Sequence, residues 1–121
     1  MASELRVNTL KDAAGNNSVG MSYVANGSEK CWANFSGSTV TIRDSFNVSS
    51  LADISAGKQQ VNYSSSAANT NYTVRNGSNN WHSLISNGNK TTSSNQVFTA
   101  SNTHSFADSS EVDYGFLGDL A

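Results

Sequence analysis

The sequence predicts an all-β domain, an antiparallel β-sandwich or jelly-roll-like body with an extended N-terminal arm. Three observations carry this. Short runs of alternating apolar and polar residues recur along the chain, Gly/Asn/Ser clusters separate them, and no window sustains a helical period. The 121 residues suffice for one domain. A chain of this size buries only about 65% of the surface its unfolded form exposes, which favours association with further copies.

The alternating runs come in order. Residues 4–10 set Leu5 and Val7 against Arg6 and Asn8. Residues 30–35 put Cys31, Ala33 and Phe35 on one face and Trp32 on the other. Residues 39–43 carry Val40 and Ile42, and residues 45–50 carry Phe46 and Val48. Val61 and Tyr63 follow in 59–64, then Tyr72 and Val74 in 70–74. Residues 81–86 hold Trp81, Leu84 and Ile85; 95–100 hold Val97 and Phe98; 111–117 alternate Val112, Tyr114 and Phe116. A period of two places one set of each run on a single sheet face.

Turn chemistry fills the gaps at 14–17, 26–28, 36–38, 76–78 and 87–89. Gly and Asn tolerate positive φ, and Asn, Asp and Ser side chains bond back to the backbone. Asn26-Gly27 and Asn87-Gly88 fit tight hairpin turns. Ser, Thr, Asn and Gly are weak helix formers, so the only helical expectation is a short turn at 50–56. Residues 1–22 contain too few apolar side chains for a core. They are expected to form a separate arm, with residues 23–121 as the sandwich domain; Leu5, Val7 and Leu10 are its candidate attachment residues.

Asn, Ser and Thr make up 47 of the 121 residues, while 13% are charged and proline is absent. Low charge with many polar residues can signal disorder. The regular aromatic and aliphatic punctuation points instead to a folded domain with a neutral polar surface. The net charge of −2, with scattered Lys and Arg, leaves no basic patch to drive nucleic-acid binding. The N-terminal residues lack the apolar core of a signal peptide, and no run approaches the ~20 apolar residues of a membrane span. Synthesis in a cytoplasm without membrane insertion is the expectation. Eight Asn-x-Ser/Thr triplets are explained by composition rather than by glycosylation.

No catalytic residue, cofactor or metal ligand is expected. Cys31 is the one cysteine, which rules out an intrachain disulfide and a Cys-rich zinc site. It could pair with His82 or His104 as a thiol nucleophile, but its place beside Ala33 and Phe35 reads as a small buried apolar group. His82 and His104 stand far apart with no second ligand pair. They read as surface or packed histidines rather than as a metal site. Asp108, Glu111 and Asp113 cluster in sequence, which reads as a solvated loop and strand start rather than a glycosidase pair. No Gly-x-Ser-x-Gly elbow occurs.

The segment Asn79-Asn80-Trp81-His82 is the candidate glycan or receptor contact. An exposed Trp stacks on sugar rings while neighbouring amides bond hydroxyls. The competing reading buries Trp81 in the core, the commoner fate of tryptophan in a small domain.

Three segments carry a resemblance: residues 4–19 (Glu-Leu-Arg-Val-Asn-Thr-Leu-Lys-Asp-Ala-Ala-Gly-Asn-Asn-Ser-Val), residues 30–37 (Lys-Cys-Trp-Ala-Asn-Phe-Ser-Gly) continuing into 41–50, and residues 61–63 with 68–72. Asn79–Ser83 and the ending Gly118–Ala121 add to them. Together these strings resemble small β-domains of tail-fibre-like virion structural proteins of marine bacteriophages, of the cyanophage type. The resemblance covers about the first 75 residues most fully. It implies a virion-surface β-domain, a homotrimer, with an N-terminal segment that attaches or intertwines. It brings no catalytic residues. Cys31 departs from the alanine common at this place in such proteins, and no shaft, coiled coil or collagen-like repeat is present.

The expected role is therefore a phage virion component on the particle exterior, touching itself, other virion proteins and host-surface glycan. A capsid decoration protein that cements the head is one alternative. A small polysaccharide hydrolase is the alternative of another class. A neutral, amide-rich surface suits a particle in salt water, where ionic contacts are screened.

Overall fold

Alternation at residues 29–36 becomes a strand with Cys31, Ala33 and Phe35 facing inward and Trp32 and Asn34 facing outward. In the computed structural model, residues 3–85 and 87–121 are described. Met1 and Ala2 of the expected arm, and Ser86 of the expected 81–86 strand, lie outside them. The chain runs β1 (Thr9–Lys11), β2 (Ser18–Gly20), α1 (Met21–Gly27), β3 (Glu29–Ser36), β4 (Thr41–Phe46), β5 (Val48–Ser55), β6 (Lys58–Tyr63), β7 (Thr73–Ser78), β8 (His82–Ile85), a 3-10 turn (Asn87–Asn89), β9 (Ser94–Ala100) and β10 (Val112–Leu117).

Strands β3 to β10 form two four-stranded antiparallel sheets, in the orders β4-β3-β10-β7 and β5-β6-β9-β8. The chain is thus an all-β sandwich. Its core is the contents of the inner faces: Cys31, Ala33 and Phe35 from β3, Val61 and Tyr63 from β6, Val97 from β9, and Val112, Tyr114 and Phe116 from β10. Tyr72 and Ala67, from the connection between β6 and β7, close one end. Three tyrosine hydroxyls meet in the middle. Tyr63 OH lies 3.0 Å from Tyr72 OH and 2.5 Å from Tyr114 OH. Tyr72 OH in turn donates to the carbonyl of Thr91 at 2.8 Å. Each buried hydroxyl therefore keeps a partner, as a dry interior demands, and burial raises the pKa of Tyr63 and of Tyr114.

Both lateral edges are crossed by the chain. At one edge β4 passes to β5 through a single residue, Asn47, at φ 58°. The expected continuous strand over 45–50 is therefore two strands in different sheets. Asparagine accepts this left-handed backbone, and its side chain secures the corner. Nδ2 donates to the carbonyls of Lys30 (3.0 Å) and Ser65 (3.1 Å), while Oδ1 accepts from the Ser65 N–H (2.6 Å). At the other edge residues 79–81 carry β7 into β8.

Several local expectations change. The 50–56 segment is strand, not a helical turn, because β5 pairs with β6 from Val48↔Tyr63 to Ser55↔Lys58 and turns Leu51 inward. Val40 sits in the β3–β4 turn at φ 51° rather than in a strand. Asn26-Gly27 ends α1 instead of making a hairpin turn. The carbonyls of Val24 and Ala25 near that end receive the Ser28 hydroxyl and the Lys30 ammonium, which relieve its orphan acceptors. Asn87-Gly88 lies in a 3-10 turn within a longer β8–β9 connection. There Thr91 Oγ1 accepts the N–H groups of Ser93 and Ser94 and adds a second turn.

Glycine is required at residue 57, in the β5–β6 turn at φ 69°. A Cβ there would lie 2.4 Å from the Thr99 carbonyl and 2.6 Å from the Ala107 nitrogen. The Gly57 carbonyl accepts from Thr99 N–H at 2.8 Å, and its N–H donates to Asp108 Oδ1 at 2.7 Å.

Candidate functional site

Residues 3–27 contribute nothing to the sandwich core, although the end of α1 borders the sandwich at Asn26. Lys11 and Asp12 turn through Gly15 (φ 73°) to Asn17, closing the β1–β2 hairpin. Asp12 organises the turn: Oδ2 accepts from the Asn17 amide at 2.7 Å and Oδ1 from the Asn16 N–H at 3.0 Å. These bonds, the Asn17 side chain first, hold its carboxyl below the usual carboxylate range. The Met21 N–H then bonds the Asn8 carbonyl at 2.9 Å, folding the helix start onto the hairpin. An extended arm is thus not what the described residues form: the segment is a hairpin followed by two turns of helix. None of its described residues is buried. Leu5 is 81% and Tyr23 76% exposed, Leu10 and Val19 are exposed, and Val7 is half-buried.

The second candidate, residues 79–82, divides. Trp81 is 75% exposed at the mouth of β8, so the core reading of this tryptophan is corrected. The space between the sheets is already filled by Tyr63, Tyr114 and Phe116. The two asparagines, however, are engaged internally. Asn79 Nδ2 donates to Ser110 Oγ at 2.8 Å, and its Oδ1 accepts from Ser109 Oγ and from the Glu111 N–H. Asn80 Nδ2 donates to the carbonyls of Ala107 (3.0 Å) and Asp108 (3.3 Å). These amides pin the 107–111 loop.

Comparison with known protein families, curated proteins and solved structures finds no match. Site geometry therefore carries the functional reading.

His82 and His104, far apart in sequence, meet ring to ring with centroids 4.7 Å apart. His104 reaches this place from a turn at φ 63°, in which its N–H bonds the Ser101 carbonyl. Among the described residues no three His, Cys, Asp or Glu side chains converge as metal ligands. Beside this pair, on the outer face of the β5-β6-β9-β8 sheet, Lys58 Nζ covers Phe106 at 4.3 Å and Phe98 at 5.3 Å. Nothing in the sequence spacing of these residues announces the cluster, because it needs β6, β9 and the 101–106 turn together.

The groups weighed for chemistry are held by the fold. Cys31 is fully buried on the inner face of β3, and burial, with the nearby Glu29 charge, pushes its thiol up to about 12. A thiol so protonated is a poor nucleophile. Asp108 Oδ1 accepts from Gly57 N–H and from Gln59 Nε2 at 3.2 Å. Asn34 Nδ2 donates to Glu111 at 2.8 Å and to Asp113 at 2.7 Å, and Arg43 lies 3.5 Å from Glu111. The acidic trio thus fastens β10 and its preceding loop to β3, β4 and β6.

Proposed function

We propose that this chain is a structural protein of a bacteriophage particle, tail-fibre-like, that works by contact rather than by catalysis. One observation carries the reading: among the described residues the sandwich completes its core without residues 3–27, leaving Leu5 exposed ahead of the hairpin, Leu10 and Val19 exposed on it and Tyr23 exposed on the helix. Exposed apolar side chains left out of their own domain's core, with Leu10 and Val19 paired across the hairpin, are what another protein covers. In this proposal the covering partner is a neighbouring virion protein, and the sandwich projects outward from the particle. The resemblance of residues 4–19, 30–50 and 61–72 to virion β-domains supports the same role. So does Cys31, whose buried thiol is closed to solvent.

Homotrimerisation belongs to the proposal. Phe46 on β4, Ile54 on β5 and Leu84 on β8 are exposed apolar side chains on edge strands, where a symmetric neighbour would bury them. The test is to produce particles with either the full chain or a chain lacking residues 1–22, and to quantify the protein in purified virions. The full chain is expected in particles and the truncated one is expected to be lost. Equal incorporation of both, or absence of the full chain from virions, overturns the reading. Copy number separates the two placements: tens per particle for a tail fibre, hundreds for a capsid decoration protein.

A further inference from the structure

Many amides of this asparagine-rich chain are spent on the fold, as Asn34, Asn47, Asn79 and Asn80 illustrate. Others are not, and two of these, Asn26 and Asn71, lie at one end of the sandwich. A cleft of about 480 Å³ lies between the end of α1, the approach to β7 and the segment after β10. Its walls present Asn26, Asn71, Thr73 and Asp119, and none of these four side chains has a hydrogen-bond partner among the described residues. Leu117, half-buried, supplies an apolar patch beside them.

The walls are fixed by other groups. Asn69 Oδ1 accepts the Asn71 N–H at 2.8 Å and sets that turn. Lys90 Nζ donates to the Tyr72 carbonyl and sits over the Tyr72 ring at 4.5 Å. Gly118 lies so close to Tyr72 that a Cβ on it would stand 2.6 Å from the Tyr72 Cβ. The C-terminal segment is tied down by Ala68 N–H to the Asp119 carbonyl (2.8 Å) and Ala121 N–H to the Ser66 carbonyl (2.9 Å). The backbone of the 69–72 and 118–121 walls is therefore set before any ligand arrives, which lowers the ordering cost of binding.

From this we infer that the cleft is a binding site for a neutral saccharide. Two primary amides and a hydroxyl offer both donors and acceptors, and one carboxylate offers acceptors only. That set matches adjacent sugar hydroxyls, each of which can donate and accept. The Leu117 patch fits the C–H face of a pyranose ring. Asp119 is the one carboxylate in the lining, and no Lys or Arg side chain lines it, so an anionic ligand meets repulsion there. The volume is that of a small-ligand site. The inference rests on the cleft's own chemistry and holds wherever the chain is located.

The test is an amide-resonance titration of the full chain with neutral trisaccharides of glucose, mannose, galactose and N-acetylglucosamine at millimolar concentration. At least one is expected to shift signals of residues 69–73 and 117–119. Asn71→Ala and Asp119→Ala should each weaken that response about tenfold or more, the loss expected when a hydrogen bond to a sugar hydroxyl is removed. Both variants should keep the wild-type melting temperature, since neither side chain bonds the fold. Trp81→Ala should leave the response unchanged. No shift with any of the four sugars, shifts centred on Trp81, or an equal response to calcium chloride alone would overturn the assignment.

Discussion

Cys31 and Asn47 illustrate how single residues divide between those the local pattern explains and those it does not. Cys31 alternates with Ala33 and Phe35, and the structure buries all three. Its thiol is held protonated by burial, so its reactivity in the folded state should be negligible at neutral pH. Iodoacetamide labelling should be slow in buffer and fast in denaturant; rapid labelling of the native protein would contradict the burial. Asn47 lies in a run that reads as one strand, yet it is the point where the chain changes sheets. Alanine there would lose the bonds to Lys30 and Ser65 and meet the steric cost of the left-handed backbone. The expected destabilisation is about 2–4 kcal/mol, measurable by urea denaturation, and a loss below about 0.5 kcal/mol would show that the corner does not depend on this residue.

At the scale of elements, the strands whose inner faces bear large apolar groups sit where their alternation puts them: β3, β6, β9 and β10. The elements that break expectation are those with little apolar pattern. Helix α1 buries nothing and is held at its end by Ser28 and Lys30. Strand β5 owes its conformation to the ladder with β6. The β1–β2 hairpin depends on Asp12, whose carboxylate is favoured in the folded hairpin. A folded-state value below the unfolded one means that this contribution is present above the unfolded value. It is lost as pH falls through the depressed folded value. Amide exchange at Asn16 and Asn17 should therefore accelerate, relative to the sandwich, below about pH 4. Asp12→Asn should remove that pH dependence, and an unchanged acid response in this variant would assign it to another group.

For the whole molecule, the sheets close on a core drawn from β3, β6, β9, β10 and two residues of the β6–β7 connection. Among the described residues, nothing before Glu29 enters it. Removing residues 1–22 should accordingly leave the melting temperature within a few degrees of the full chain, because surface elements outside the core contribute little to the cooperative transition. A drop of more than about 10 °C would place those residues in the folding unit. Any self-association would make the melting temperature depend on the logarithm of concentration, so the comparison belongs at matched protein concentration.

Alternation along each run, a property of neighbouring residues, was enough to establish an all-β body with Cys31, Ala33, Phe35, Val61, Val112, Tyr114 and Phe116 inside. Side-chain direction in a strand repeats every two residues whatever the partner strand is. Tertiary structure alone decided that Trp81 faces solvent, that His82 meets His104, that Asn47 turns the chain between sheets, and that Asn79 and Asn80 are bonded internally while Asn26 and Asn71 are free. An amide reads the same in any sequence; whether it is spent depends on which distant carbonyl or hydroxyl the closed sheets bring within about 3 Å of it.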